Sequence, residues 1–102
     1  MRTVKQPRSL FRRTNDFACD AHFWECYSRL PEKVQSAARA AYEIWNDNPR
    51  HPGLRFRPVS SAGEDVWSVR IGIHWRALGV REGDVMIWFW IGSHADYDSL
   101  IS

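Results

Sequence analysis

The sequence predicts an α+β domain in which an N-terminal helical hairpin packs on one face of a small antiparallel sheet of about four strands. Three observations carry this. Before Pro49, apolar residues recur at helical spacing in two stretches separated by about two residues. After Pro49 the period shortens toward alternation. A nearly unbroken apolar run, VMIWFWI from Val85 to Ile91, then marks a central strand covered on both faces for part of its length. At 102 residues the chain holds one modest core, and 44% apolar with 14% aromatic residues excludes a disordered tail.

In chain order, residues 1–13 read as a basic arm, with a short edge strand around Ser9 to Arg13 as one reading of it. Residues 14–102 form a single domain. Thr14, Asn15 and Asp16 are all capping residues, and Phe17, Ala21, Trp24 and Tyr27 follow at helical spacing, which predicts a first helix over residues 16–28. Pro31 suits the first turn of a second helix and Glu32 its positive dipole end. Val34, Ala37, Ala38, Ala41, Tyr42 and Trp45 make that helix's stripe, and Asn48-Pro49 ends it.

Beyond the turn-rich NPRHPG, LRFRPV alternates Leu54 and Phe56 with Arg55 and Arg57, the pattern of a half-buried strand. SSAGED is a loop. Trp67, Val69 and Ile71 lie before a Gly72-Ile73-His74 bend and Trp75 and Ala77 after it, while REGD at 81–84 turns the chain into VMIWFWI. The stretch GSHADYD leaves that strand, and Ser93 to Asp98 also reads as a helix-starting turn, with Ser93 as cap, Asp96 at the dipole and Tyr97 packed.

The formal net charge of +2 hides a division. Residues 50–81 hold six arginines against Glu64 and Asp65, whereas residues 82–102 hold four acids and no Lys or Arg. Arginine gathered in mid-chain suggests an anionic partner for that part alone. If the bend centres on Ile73, Arg70 and Arg76 face one another across the ladder on one side of the sheet. Like charges so placed repel unless an anion lies between them, and a phosphate matches the guanidinium fork. Arg55 and Arg57 on the neighbouring strand extend the basic surface, and His74 lies near it.

His94 and Tyr97, three apart at the exit of the last strand, are suited to proton transfer. RNA cleavage by its own 2′-hydroxyl needs a base, positive charge at the phosphate and an acid for the 5′-oxygen. Arginines with His and Tyr supply all three without a metal or cofactor. Cys19, His22 and Cys26 would share a face of the first helix and could offer three zinc ligands, but no second cluster completes a site, and small core residues are the favoured reading. In that helix Cys19 and Cys26 stand about 10 Å apart along the axis, too far for a disulfide. The tryptophans read chiefly as core. No stretch approaches the roughly 20 apolar residues that span a bilayer, and no secretory signal opens the chain, so a cytoplasmic, membrane-free protein is expected.

Three motifs in order, LPEKVQSAARAAYEIWNDNPRHPGLRF, WSVRIGIHWRALGV and WFWIGSHADYD, resemble the RelE/ParE superfamily of bacterial toxins, in particular a branch ending in I-G-S-H-x-x-Y-D. The resemblance covers residues 14–101 and implies an antiparallel sheet with a helical hairpin on one face and an open concave surface on the other. In the RelE branch that surface enters the ribosomal A site and cleaves messenger RNA to a 2′,3′-cyclic phosphate. The family's strand arginines then fall on Arg70 and Arg76, and its C-terminal His/Tyr functions on His94 and Tyr97. A cognate antitoxin is the implied partner, with ribosome and mRNA as target. The ParE branch shares the fold but poisons DNA gyrase without cleaving RNA, and a domain that keeps the fold only to bind a partner is the further alternative. Two departures stand out. The end of this chain is acidic, through Asp96 and Asp98, and a glutamate base could come only from Glu64.

Overall fold

The computed structural model describes residues 3–4 and 16–102. The strand expected around Ser9 to Arg13 lies outside the described residues. Among those described, six strands form one sheet: β1 (Thr3–Val4), β2 (Asp16–Cys19), β3 (Arg57–Pro58), β4 (Val66–Ile71), β5 (Trp75–Glu82) and β6 (Val85–Ser93). Their order is β1-β2-β6-β5-β4-β3, so β6 is interior, as its composition requires. All neighbours are antiparallel except β2 and β6. Three helices accompany the sheet: α1 (Ala21–Ser28), α2 (Glu32–Asp47) and α3 (His94–Ile101). The α+β class, the helical hairpin and the β4-β5-β6 meander follow the expectation from sequence; the sheet is wider and partly parallel.

The first helix is shorter than its periodicity suggests. Residues 16–19 pair alongside β6, Asp16 opposite Val85 through Cys19 opposite Trp88, because the outer edge of so long a strand needs backbone partners. Asp20 is the actual cap: its carboxylate accepts from the Phe23 amide at 2.9 Å, while its own N–H donates to the Trp88 carbonyl at 3.1 Å. Four residues of strand thus run straight into a helix start. Pro31 sits at the cap of α2, one position ahead of the first turn.

The helices are tied at their junction. The Gln35 side chain donates to the Tyr27 carbonyl at 2.9 Å, and Arg39 donates to the Tyr27 hydroxyl at 2.7 Å. From there the core runs through Phe23, Cys26 and Trp45 to Val69, Ile71, Ala77, Trp88 and Ile91 of the sheet. Trp45, only 3% exposed, meets Phe56 and Trp88 edge-on at 5.9 and 5.6 Å.

LRFRPV keeps its alternation of burial but not its backbone. Pro52–Leu54 is a 3-10 turn and Arg55 is left-handed at φ 47°, so the strand shrinks to Arg57–Pro58. Pro58 has no N–H for a further neighbour and sits on the edge.

Between β5 and β6 the register slips after Leu78: Leu78 faces Trp90, Gly79 faces Trp88, and Phe89 of β6 is left over as a bulge. The slip inverts the strand's parity, which lets Trp88 and Ile91 join the helix-side core while Phe89 and Trp90 pack with Val59, Val66 and Leu78 on the other face. It rests on Gly79, where a Cβ would lie 2.8 Å from Trp88 Cε3.

The second face is not wholly open. Ser93 accepts from the Asp96 amide at 3.1 Å and starts α3, whose Tyr97 and Ile101 pack on the Val59-Val66-Leu78 cluster. The helix-starting reading of Ser93 to Asp98 is the one the fold adopts.

Candidate functional site

The meander fixes the arginines. Pairing of Ile71 with Trp75 closes the Gly72-Ile73-His74 turn and makes Arg70 and Arg76 direct cross-strand partners. Gly72, at φ 63°, permits this turn. Side chains alternate along β4, so Trp67, Val69 and Ile71 face the helices while Val66, Ser68 and Arg70 face α3. Arg57 pairs with Ser68 and therefore shares the face of Arg70 and Arg76. Arg70 Nε donates to the Gly72 carbonyl at 2.9 Å, which leaves its two terminal nitrogens for a ligand.

Arg76 is the inner member of the group. Burial, followed by the like charges of Arg70, Arg57 and Arg55, pushes its guanidinium below the ordinary value, with Tyr97 acting in the opposite direction. The other three arginines singled out in the sequence thus act on Arg76. The Arg76 guanidinium carbon lies 5.6 Å from the centre of the Tyr97 ring.

α3 brings His94 and Tyr97, the residues expected from sequence to carry protons, to this face. The His94 amide donates to the His74 carbonyl at 2.7 Å, so the start of α3 is pinned to the arginine turn. The His94 and Tyr97 rings are 6.1 Å apart. His94 Nδ1 lies 3.2 Å from Asp98 Oδ2. Asp98 thus meets the histidine rather than an empty anion site, and its i,i+4 spacing from His94 was the signal available in the sequence. Asp96 is exposed in the first turn of α3, where the helix dipole favours it. His74 is exposed in the turn beside Ile73, which is 67% exposed.

Other candidates separate. Cys19 is on β2, whereas His22 and Cys26 are on α1, so the three share no helical face. Among the described residues no group of three or more His, Cys, Asp or Glu is placed to hold a metal. Both cysteines are free; burial, then the charge of Asp20, pushes the Cys19 thiol up to about 12. A concavity of about 230 Å³ between the helices and the sheet is lined by apolar and aromatic groups such as Phe17, Trp24 and Trp88, with Arg39 its one charged residue. It offers no acid-base pair. The arginine face brings the His94 and Tyr97 rings together instead.

A family model described as a ParE-like toxin domain matches residues 32–99, from the start of α2 into α3. The crystal structure of YafQ from E. coli strain BL21(DE3) is similar in fold, with a TM-score of 0.67 at 10% sequence identity, over 81% of this chain and 97% of that chain. No curated protein matches the chain in sequence.

Proposed function

This chain belongs to the ParE-like toxin domain family of the RelE/ParE superfamily, and on that premise we propose that it is a ribosome-dependent mRNA endonuclease restrained by a cognate antitoxin. The observation that carries this reading is the cross-strand pair Arg70 and Arg76 beside Tyr97 and His94. Two guanidiniums on opposite strands repel when the site is empty and are satisfied by one phosphate between them. Arg55 and Arg57 extend the positive surface along the RNA backbone, and His74 borders it.

The reaction needs no group beyond these side chains. The 2′-oxygen attacks phosphorus as its proton passes to a base. Charge on the phosphorane oxygens is held by Arg70 and Arg76. The bond from phosphorus to the 5′-oxygen then breaks, its electron pair stays on that oxygen, and an acid protonates it. The products are a 2′,3′-cyclic phosphate and a 5′-hydroxyl end. His94 and Tyr97, 6.1 Å apart, are the two proton carriers in reach of one phosphate.

Translating ribosomes mixed with the purified chain should show mRNA cleaved in the A site. His94→Ala or Tyr97→Phe should slow cleavage by about 10²-fold or more, the usual share of a general acid or base. Intact mRNA alongside a protein that still arrests growth would overturn the proposal.

A second reading is favoured by the family model itself, described as ParE-like. In it the same fold inhibits DNA gyrase without chemistry. A supercoiling assay separates the two: trapped cleavage complexes with Arg70→Ala and His94→Ala fully active support gyrase and exclude the nuclease.

A further inference from the structure

His94 and Tyr97 both carry transferable protons, and their residue types do not say which accepts and which donates. A neutral imidazole has one N–H and one basic nitrogen, and the partner of one nitrogen decides the state of the other. Ionised carboxylates only accept hydrogen bonds. With Asp98 Oδ2 at 3.2 Å from His94 Nδ1, the nitrogen facing the carboxylate must carry the proton, and Nε2 is left as the base. The backbone that carries the ring is held as well, because the His94 amide donates to the His74 carbonyl at 2.7 Å. Helix α3 therefore places the ring and biases which of its nitrogens is basic.

We infer that Asp98 is a positioning residue that holds neutral His94 as its Nδ1–H tautomer, making Nε2 the acceptor of the 2′-hydroxyl proton and Tyr97 the donor to the departing 5′-oxygen. The direction of proton flow rests on the nuclease reading above; the tautomer does not. With His94 as acceptor, the proton balance closes: Nε2 gains one proton, the Tyr97 phenol loses one, and exchange through water restores both before the next turnover. The charged and titratable groups around the ring are Asp96, Tyr97 and Asp98 on α3, Arg76 on β5, Arg70 on β4 and His74 in the turn. Among these, Asp98 is the one whose contact with a His94 ring nitrogen is a carboxylate acceptor. Asp96, two residues earlier, lies on a different side of the helix from Asp98.

The pair is half open to solvent, at 43% and 59% side-chain exposure, so its influence is modest. An exposed pair of this kind shifts the ratio of Nδ1–H to Nε2–H by about fivefold. Loss of Asp98 should then lower cleavage about two- to threefold through kcat, with KM unchanged, since the residue touches the base and not the RNA.

The test uses the full chain labelled with ¹⁵N. Long-range proton-nitrogen spectra of the His94 ring at about pH 8.5, where an ordinary imidazole is neutral, report the tautomer directly. The expected result is a ratio about fivefold higher in Nδ1–H for the unmodified protein than for Asp98→Ala, with Asp98→Glu restoring it. The same ratio in the unmodified protein and Asp98→Ala overturns the inference. Should Asp98→Ala fail to fold, Asp98→Leu, which removes the acceptor and keeps bulk and helix propensity, gives the same decision. Single-turnover cleavage then separates the two layers. A shifted tautomer with unchanged cleavage in Asp98→Ala overturns the assignment of His94 as base, whereas no cleavage by the unmodified protein overturns the nuclease reading and leaves the tautomer ratio to decide Asp98's role by itself.

Discussion

Sulfate, a tetrahedral dianion with the shape of a phosphate, should stabilise this protein far more than it stabilises Arg76→Gln. Arg70 and Arg76 are direct cross-strand partners, and Arg57 and Arg55 add further positive charge around Arg76. One charge-assisted hydrogen bond contributes a net of about 1.5 kcal/mol, so one from each of the two arginines gives about 3 kcal/mol. That corresponds to a Kd of about 6 mM. At about 50 mM sulfate and constant ionic strength, binding to the folded state alone then adds about 1.3 kcal/mol. For a domain of this size that is a rise in Tm of about 5–10 °C. Sulfate also strengthens apolar burial in any protein, and Arg76→Gln carries that general part without the paired site. Thermal unfolding followed by circular dichroism, with sodium chloride as the ionic-strength control, measures both. An equal rise in the two proteins would refute the paired anion site, and with it the physical basis for placing a phosphate there.

Three further outcomes follow from the packing. Gly79→Ala should destabilise the domain by about 1–3 kcal/mol in urea unfolding, because the added Cβ would press into Trp88 and Met86 at the β6 bulge; a neutral result would mean the bulge relaxes freely. Trp45→Ala removes the ring wedged between Phe56 and Trp88 and should lower stability by about 3–5 kcal/mol in the same assay. The Cys19 thiol, pushed up to about 12, favours the protonated form in the fold, so its contribution is complete below the ordinary thiol value of 9.0 and is lost as pH rises between 9.0 and about 12. At pH 8 iodoacetamide should label Cys19 at least about 100-fold more slowly in the native protein than in urea; comparable rates read by mass spectrometry would place the thiol in solvent.

Much of this architecture was legible because its signals are local. The stripe of α2 is a 3.6-residue repeat over sixteen residues, and it yields one helix ending at Asp47 before Asn48-Pro49. The Gly72-Ile73-His74 turn sets a register, and that register alone places Arg70 opposite Arg76. Apolar residues at both parities of Val85 to Ile91 announced a strand buried on two sides, which is its place in the sheet order. By contrast, Phe17, Ala21 and Trp24 satisfy a helical spacing although residues 16–19 are strand. Nothing local distinguishes the two, because those residues are held extended by hydrogen bonds to a strand almost seventy positions later.

The sequence by itself determined the helical hairpin, the meander and the arginine pair, since each depends on periodicity or on a turn whose partners are near in the chain. Tertiary structure decided the rest. Only the exposed edge of β6 converts residues 16–19 into a parallel strand and makes Asp20 the cap of α1. Only the slip at Gly79 turns Phe89 and Trp90 toward α3, giving that helix an apolar floor. Seated there, α3 puts Tyr97 over Arg76 and turns Asp98 onto His94. The acidic ending, which in the sequence opposes a phosphate, is in the fold partly a support for the histidine beside it, because a helix brings residues four apart onto one face.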